Sequence, residues 1–109
     1  MFFVYIVTNK RNGTLYTGHT EDISIRILEH KDKVDKGFTA KYGCGRLVWF
    51  ETHETRDGAF KRERRIKKWD RVWKLEAVEI LNRAWEDLYG GLTHDSVYCD
   101  ERRYENARF

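Results

Sequence analysis

The sequence predicts a small α/β domain of the α+β type: a three-stranded, mainly antiparallel sheet flanked by helices, in the order β-β-α-β-α-α. Three observations carry this. Two segments rich in β-branched and aromatic residues, 2–8 and 14–18, bracket Asn12-Gly13, a strong short hairpin signal. A third such segment, Leu47 to Thr52, stands alone between helix-like stretches. Apolar residues recur at helical spacing elsewhere, so helices are expected to cover the hairpin-based sheet.

Each element has a local reason. Residues 2–8 (FFVYIVT) read as a strand and 14–18 as its return across a two-residue turn. Thr20 is a plausible N-cap for a helix over 21–33, with Glu21 and Asp22 in the favourable first turn. Residues 37–45 contain glycine and read as loop. Strand 47–52 follows, and then helices over 56–69 and 72–88, broken near Asp70-Arg71 and stopped by Gly90-Gly91. One domain over 1–92 is expected, with a tail of unknown order over 93–109.

Composition narrows the class. The 109 residues are 40% hydrophobic and 36% charged, which suits one soluble globular domain rather than a disordered chain. The apolar stretch 2–7 is far short of the ~20 residues a membrane helix needs, and no basic flank marks a signal peptide. Two cysteines, Cys44 and Cys99, make no disulfide framework, so free thiols in a reducing cytoplasm are expected. The absence of a Cys-x-x-Cys pair argues against structural zinc. The net charge of +3 permits nucleic acid as a partner without establishing it. That charge is unevenly spread: residues 56–75 hold nine basic and three acidic residues, and 76–101 hold one and seven. A charge run is ordinarily a solvated helix face, and its functional alternative is a phosphate-binding surface.

Placing side chains on faces is more informative. A two-residue turn puts Arg11 opposite Thr14, and Tyr5 and Tyr16 then share one face of the hairpin. On the first helix Ile23 and Ile27 form a stripe with Arg26 and His30 beside it, and these two are i, i+4 neighbours. They suit either an edge with snorkelling stems or a phosphate clamp. On the next helix, with Ala59 set at zero, Ile66 falls near −20°, Glu63 near +40° and Phe60 near +100°, at about 100° per residue. A carboxylate inside the apolar arc needs a cationic partner, because desolvating the charge is costly. Arg26, another basic residue or a bound metal are the candidates. Lys61, Arg64, Arg65 and Lys68 lie on the opposite side of that helix. Trp49, Trp69, Trp73 and Trp85 read as core, and His53 and His94 as surface residues without partners.

Val4-Tyr5-Ile6 followed by Tyr16-Thr17-Gly18 resembles the paired motif of the GIY-YIG endonuclease superfamily, in its small standalone bacterial branch. Arg26, His30, Ala59-x-x-x-Glu63-x-x-x-Lys67-x-Trp69, and Asn82 with Trp85 and Asp87-Leu88 extend the likeness over about residues 2–92. Val4 replaces the namesake glycine, Thr17 the isoleucine, His19 a lysine carried by some members, and Arg83 a proline that often follows the asparagine.

The resemblance implies a divalent-metal-dependent endonuclease hydrolysing phosphodiester bonds in DNA. Tyr5, Tyr16, Arg26, His30, Glu63 and Asn82 would be its catalytic set. Glu63 would be the only protein ligand of one Mg²⁺ or Mn²⁺ ion. Arg26 would hold a phosphate oxygen, and Tyr5 and Tyr16 would position and deprotonate water, with Tyr5 preferred as base and His30 supporting it. Asn82 has two readings of equal weight, orienting the phosphate or Glu63, and capping a helix. His19 and Lys67 are candidate DNA contacts. No membrane or small-molecule cofactor is expected, and a monomer or weak dimer is. The rival reading is a non-catalytic nucleic-acid-binding module on the same scaffold, and a protein-interaction domain is the third. A matched domain of this size leaves little room for a separate recognition module, so specificity would come from DNA shape or a partner, with branched, damaged or single-stranded DNA of repair or recombination as the expected substrates.

Overall fold

The computed structural model describes residues 1–32 and 42–92. Most of the loop read over 37–45, the tail over 93–109, His94 and Cys99 lie outside the described residues. The elements are β1 (Phe2–Thr8), β2 (Leu15–Thr20), α1 (Ile23–Lys31), β3 (Arg46–His53), α2 (Arg56–Lys67), α3 (Arg71–Leu81) and a one-turn α4 (Tyr89–Leu92). The sheet is antiparallel in the order β2-β1-β3. The expected class and element order are therefore observed, with the short α4 added.

β1 is the central strand, and all of it after Phe2 is buried. It therefore needs apolar residues toward both faces, and FFVYIVT supplies them. Its odd positions Phe3, Tyr5 and Val7 pack with Ile23 and Ile27 of α1, Leu47, Phe50, Leu88 and Leu92. Its even positions Val4 and Ile6 pack with Trp49, Ala59, Ile66, Val78 and Trp85 under α2 and α3. Between Ile6 and Val7 the pairing with β3 slips from Trp49 to Leu47, and this bulge keeps both residues on the faces they fill.

The hairpin departs from the two-residue turn expected of Asn12-Gly13. Pairing ends at Thr8 and Leu15, leaving residues 9–14 as the connection. Asn12 alone of that pair has positive φ, at 56°. The Gly13 N–H donates to the Lys10 carbonyl at 2.9 Å, and the Thr14 N–H to Asn9 Oδ1 at 3.0 Å. These bonds close a longer turn in place of the type I′ one. Gly13 serves by its size, since a Cβ there would lie 2.0 Å from Asn9 Oδ1. Tyr5 accordingly faces Gly18, and Val7 faces Tyr16. The register differs from the expected one by two residues, and an even shift leaves every side chain on its face.

Three further boundaries move. Asp22, not Thr20, caps α1: Asp22 Oδ1 accepts the Ile25 N–H at 3.2 Å, while the Thr20 hydroxyl is held in a turn with the Asp22 backbone. The helix expected to reach Leu88 stops at Leu81. There the Asn82 amide competes with the helix, donating to the Val48 carbonyl at 3.2 Å and the Glu86 carbonyl at 2.7 Å, and accepting the Glu86 N–H at 3.0 Å. Trp85 and Leu88 still reach the core, but from an irregular segment with Trp85 at φ 58°. Gly90-Gly91 sit inside α4 rather than ending a longer helix. Only two of the four tryptophans fill the core: Trp49 and Trp85 are fully buried, Trp69 is half-buried, and Trp73 is 58% exposed.

Candidate active site

The site assembles around Gly18. A Cβ at this position would stand 2.6 Å from Tyr5 Oη and 3.1 Å from Tyr16 Cε2. Glycine is therefore what lets the Tyr5 hydroxyl pass across β2 beside the Tyr16 ring. Tyr5 on β1 and His30 on α1 meet with Oη and Nε2 2.9 Å apart, both side chains almost wholly buried. The Tyr16 ring packs on the same imidazole at 5.7 Å between centroids.

Arg26, one helical turn before His30, lies beside Tyr5, favouring its ionised form, and donates to Glu29 Oε1 at 3.1 Å. A guanidinium has only donors. Toward Arg26 the Tyr5 Oη can only accept, while between Tyr5 Oη and His30 Nε2 the imidazole tautomer decides which group donates. Burial pushes the Tyr5 phenol up to about 12, because a phenolate there loses its water; Arg26 pulls the other way, and Tyr16 and Glu63 add to the rise. The phenol is protonated at neutral pH.

Glu63 enters from α2, whose N-cap Thr55 accepts the Gly58 N–H at 3.0 Å and sets the helix phase. Glu63 is buried, as its place in the apolar arc predicts, and His19 and Lys67 supply its cationic partners. His19 Nδ1 lies 2.6 Å from Oε1, and Lys67 Nζ 3.0 Å from Oε2. Burial alone would raise the Glu63 carboxyl. The hydrogen bonds and charges of His19 and Lys67 more than reverse this, and the group sits below its ordinary 4.5. An ionised carboxylate only accepts, so His19 Nδ1 carries the proton. Lys67 Nζ also lies 5.7 Å over the Tyr16 ring. β2 is an edge strand, and side chains of both sheet faces meet along it.

Tyr5, Tyr16, Arg26, His30 and Glu63 thus come together, joined by His19 and Lys67. Asn82 does not join them through any bond described above: its amide is engaged with backbone groups of β3 and of residue 86. His53, expected to be partnerless, lies with Nε2 2.6 Å from Glu51 Oε2, and Arg62 holds the same carboxylate from Nε at 2.9 Å and Nη2 at 3.4 Å. The sequence reading overlooked this second buried cluster. Its signal was available, since Glu51 and His53 are two apart on a strand and share a face.

Among the described residues no three His, Cys, Asp or Glu side chains cluster as a metal cage. The buried acid at the site is Glu63, and Glu29 is engaged with Arg26. A single hard oxygen donor suits a hexacoordinate ion that keeps its other positions for waters and substrate oxygens. Glu63 uses one lone pair on each oxygen for His19 and Lys67, and each carboxylate oxygen has a second. The residues present fit one Mg²⁺ or Mn²⁺ held by Glu63.

Fold and site together define an α+β domain in which Tyr5 and Tyr16 meet His30, and Lys67 links Tyr16 to Glu63. The sequence profile of the GIY-YIG catalytic domain matches residues 1–76. A UPF0213 protein of Staphylococcus epidermidis is 36% identical over 77 residues, covering 71% of this chain and 93% of that protein. A UPF0213 protein of Staphylococcus aureus is 40% identical over 81 residues, with the same coverage. No solved structure matches. The chain belongs to the GIY-YIG family, a nuclease superfamily, and is similar to its small standalone UPF0213 members. No helix among the described residues is long and apolar enough to cross a membrane.

Proposed function

We propose that the chain is a divalent-metal-dependent endonuclease that hydrolyses phosphodiester bonds in DNA. The observation that carries the reading is that Tyr5 and Tyr16 pass beside Gly18 and meet His30, with Arg26 beside Tyr5 and Lys67 bridging Tyr16 to Glu63, Glu63 being held as a carboxylate and Tyr5 as a phenol. Glu63 would hold the ion, which when bound neutralises charge on the phosphate and supports the leaving oxygen.

The remaining tasks fall to the chain's own groups. The guanidinium of Arg26 matches phosphate oxygens bidentately and would hold the scissile group beside Tyr5. A phenol raised to about 12 is a poor isolated base. In the tautomer that leaves His30 Nε2 unprotonated, the Tyr5–His30 contact would serve a relay instead: a proton passes from water to Tyr5 Oη as the Tyr5 proton passes to His30 Nε2. The hydroxide so formed bonds to phosphorus, and the P–O bond on the far side breaks. Tyr16 orients His30 and lines the water's approach. His19 and Lys67 can turn from Glu63 to phosphate oxygens when the ion takes the carboxylate. Asn82 is a positioning residue, pinning residues 82–86 against β3.

Recognition by DNA shape, on branched or damaged substrates of repair and recombination, is the finer part of this reading. A cytoplasmic setting agrees with the buried free thiol of Cys44. The test is incubation with plasmid and branched DNA in Mg²⁺ or Mn²⁺, then with EDTA. Cleavage that EDTA abolishes and Glu63→Ala removes is expected. Cutting unaffected by EDTA or by Glu63→Ala contradicts the role of Glu63, and salt-dependent binding with no cutting in any metal favours the non-catalytic module.

A further inference from the structure

The outward side of α2 carries a groove of about 420 Å³ lined by Asp57, Phe60, Lys61, Arg64, Arg65 and Lys68. Its one acid, Asp57, pairs with Lys61 Nζ at 3.0 Å. Among the described residues, no carboxylate pairs with Arg64, Arg65 or Lys68. Like charges one turn apart on a helix repel, so the fold gains nothing from this concentration.

Phe60 of this groove also touches His19 of the candidate active site. Around the helix, Glu63 at about 40° is followed by Lys67 and Phe60 near 80–100°, Arg64 near 140°, and Lys68 and Lys61 near 180–200°. Phe60 is the bridge. It is 42% exposed. Its ring meets the His19 imidazole edge-on at 5.8 Å between centroids, and His19 is bonded to Glu63. On its other side the Arg64 guanidinium lies 5.5 Å over the ring. A solvent-facing phenyl under an arginine, flanked by lysines, is a stack that an unpaired base can extend while its phosphates meet the cations. Duplex DNA keeps its bases paired and offers that stack nothing.

We infer that α2 carries a track for single-stranded nucleic acid, with a base stacked on Phe60 and Arg64 and its neighbouring phosphates held by Lys61, Arg65 and Lys68. The substrate at the cut would then contain an unpaired strand that leaves Glu63 across this groove. The second statement rests on the nuclease reading, and the binding itself does not.

The test is fluorescence anisotropy of the full chain carrying Glu63→Gln, in EDTA, with a labelled oligo-dT 20-mer and a duplex of equal length. Phe60→Ala is expected to weaken single-strand binding about tenfold, to leave duplex binding within twofold, and to be rescued by Phe60→Tyr. The double variant Arg64→Ala/Lys68→Ala is expected to reduce the salt slope for the single strand by about one to one and a half. Phe60→Ala binding both DNAs like the parent, or losing both equally, overturns the inference, as does an unchanged salt slope. Cleavage by the parent is scored separately. No cutting with the binding pattern intact removes the nuclease reading and keeps the track. Cutting with binding indifferent to Phe60 does the reverse.

Discussion

Glu51 and Glu63 are both buried carboxylates, and each is met by one histidine and one basic residue of α2. The geometry differs. Glu51, its side chain 4% exposed, is gripped by the planar fork of Arg62 through Nε and Nη2, with His53 on Oε2. Glu63, at 11%, has one partner on each oxygen, and its cation is Lys67, a point charge on a flexible stem that is 47% exposed. An arginine fork fixes a carboxylate. A lysine at the rim can be replaced by an ion without leaving a buried charge behind. The pair teaches that burial alone does not mark a site; the partner and its freedom to leave do. Glu51, paired with Val4 in the sheet, ties β3 to α2 through Arg62, whereas Glu63 shares Lys67 with the Tyr16 ring.

The largest expected effect separates the two carboxylates by activity. Glu63→Gln should lower the cleavage rate by about a thousandfold or more, comparable to removing a principal transition-state contact, in an assay of nicked plasmid over time. Retention of the parent rate would break the comparison. Next, Glu51→Ala should cost about 3 kcal/mol in urea unfolding, because it strands the Arg62 charge beside a buried face. Its cleavage rate per folded molecule should stay near the parent's. If Glu63→Gln proves the more damaging to stability, the assignments of the two groups are reversed.

Titration sharpens the same contrast between a phenol kept neutral and a carboxylate kept charged. Tyr5 is raised from 10.0 to about 12, so the folded state binds its proton more tightly than the unfolded chain does. The stabilisation is complete below pH 10 and is lost as pH rises toward 12, by roughly 3 kcal/mol in all. Urea midpoints measured across that range should fall in the parent and much less in Tyr5→Phe. Glu63 runs the opposite way. Its folded-state value lies below 4.5, so its stabilisation is present above that pH and is lost as pH falls below it. Glu63→Gln should flatten this smaller acid limb, and an unchanged limb would show that His19 and Lys67 do not hold the charge.

The parts that were legible in the sequence are those fixed by local periodicity. Strand alternation put Tyr5 and Tyr16 on one face, and the even shift of register left that intact. Helical phase put Glu63 in the apolar arc and Arg26 beside His30. What stayed hidden depends on distant partners. His19 is 44 residues from the carboxylate it meets, and neither residue's own segment specifies the other. α3 ends early because the Asn82 amide finds a carbonyl on β3, which no pattern within 72–88 reveals. Asn12-Gly13 signals a turn, yet Asn9 and Lys10 decide its length.

The most direct measurement is electron paramagnetic resonance of Mn²⁺ bound to the chain in complex with an uncleavable phosphorothioate oligonucleotide. The account predicts a bound-ion signal in the parent, the same signal in folded Glu51→Ala, and its loss in Glu63→Gln. Mn²⁺ bound equally by Glu63→Gln, or lost from folded Glu51→Ala, would contradict it.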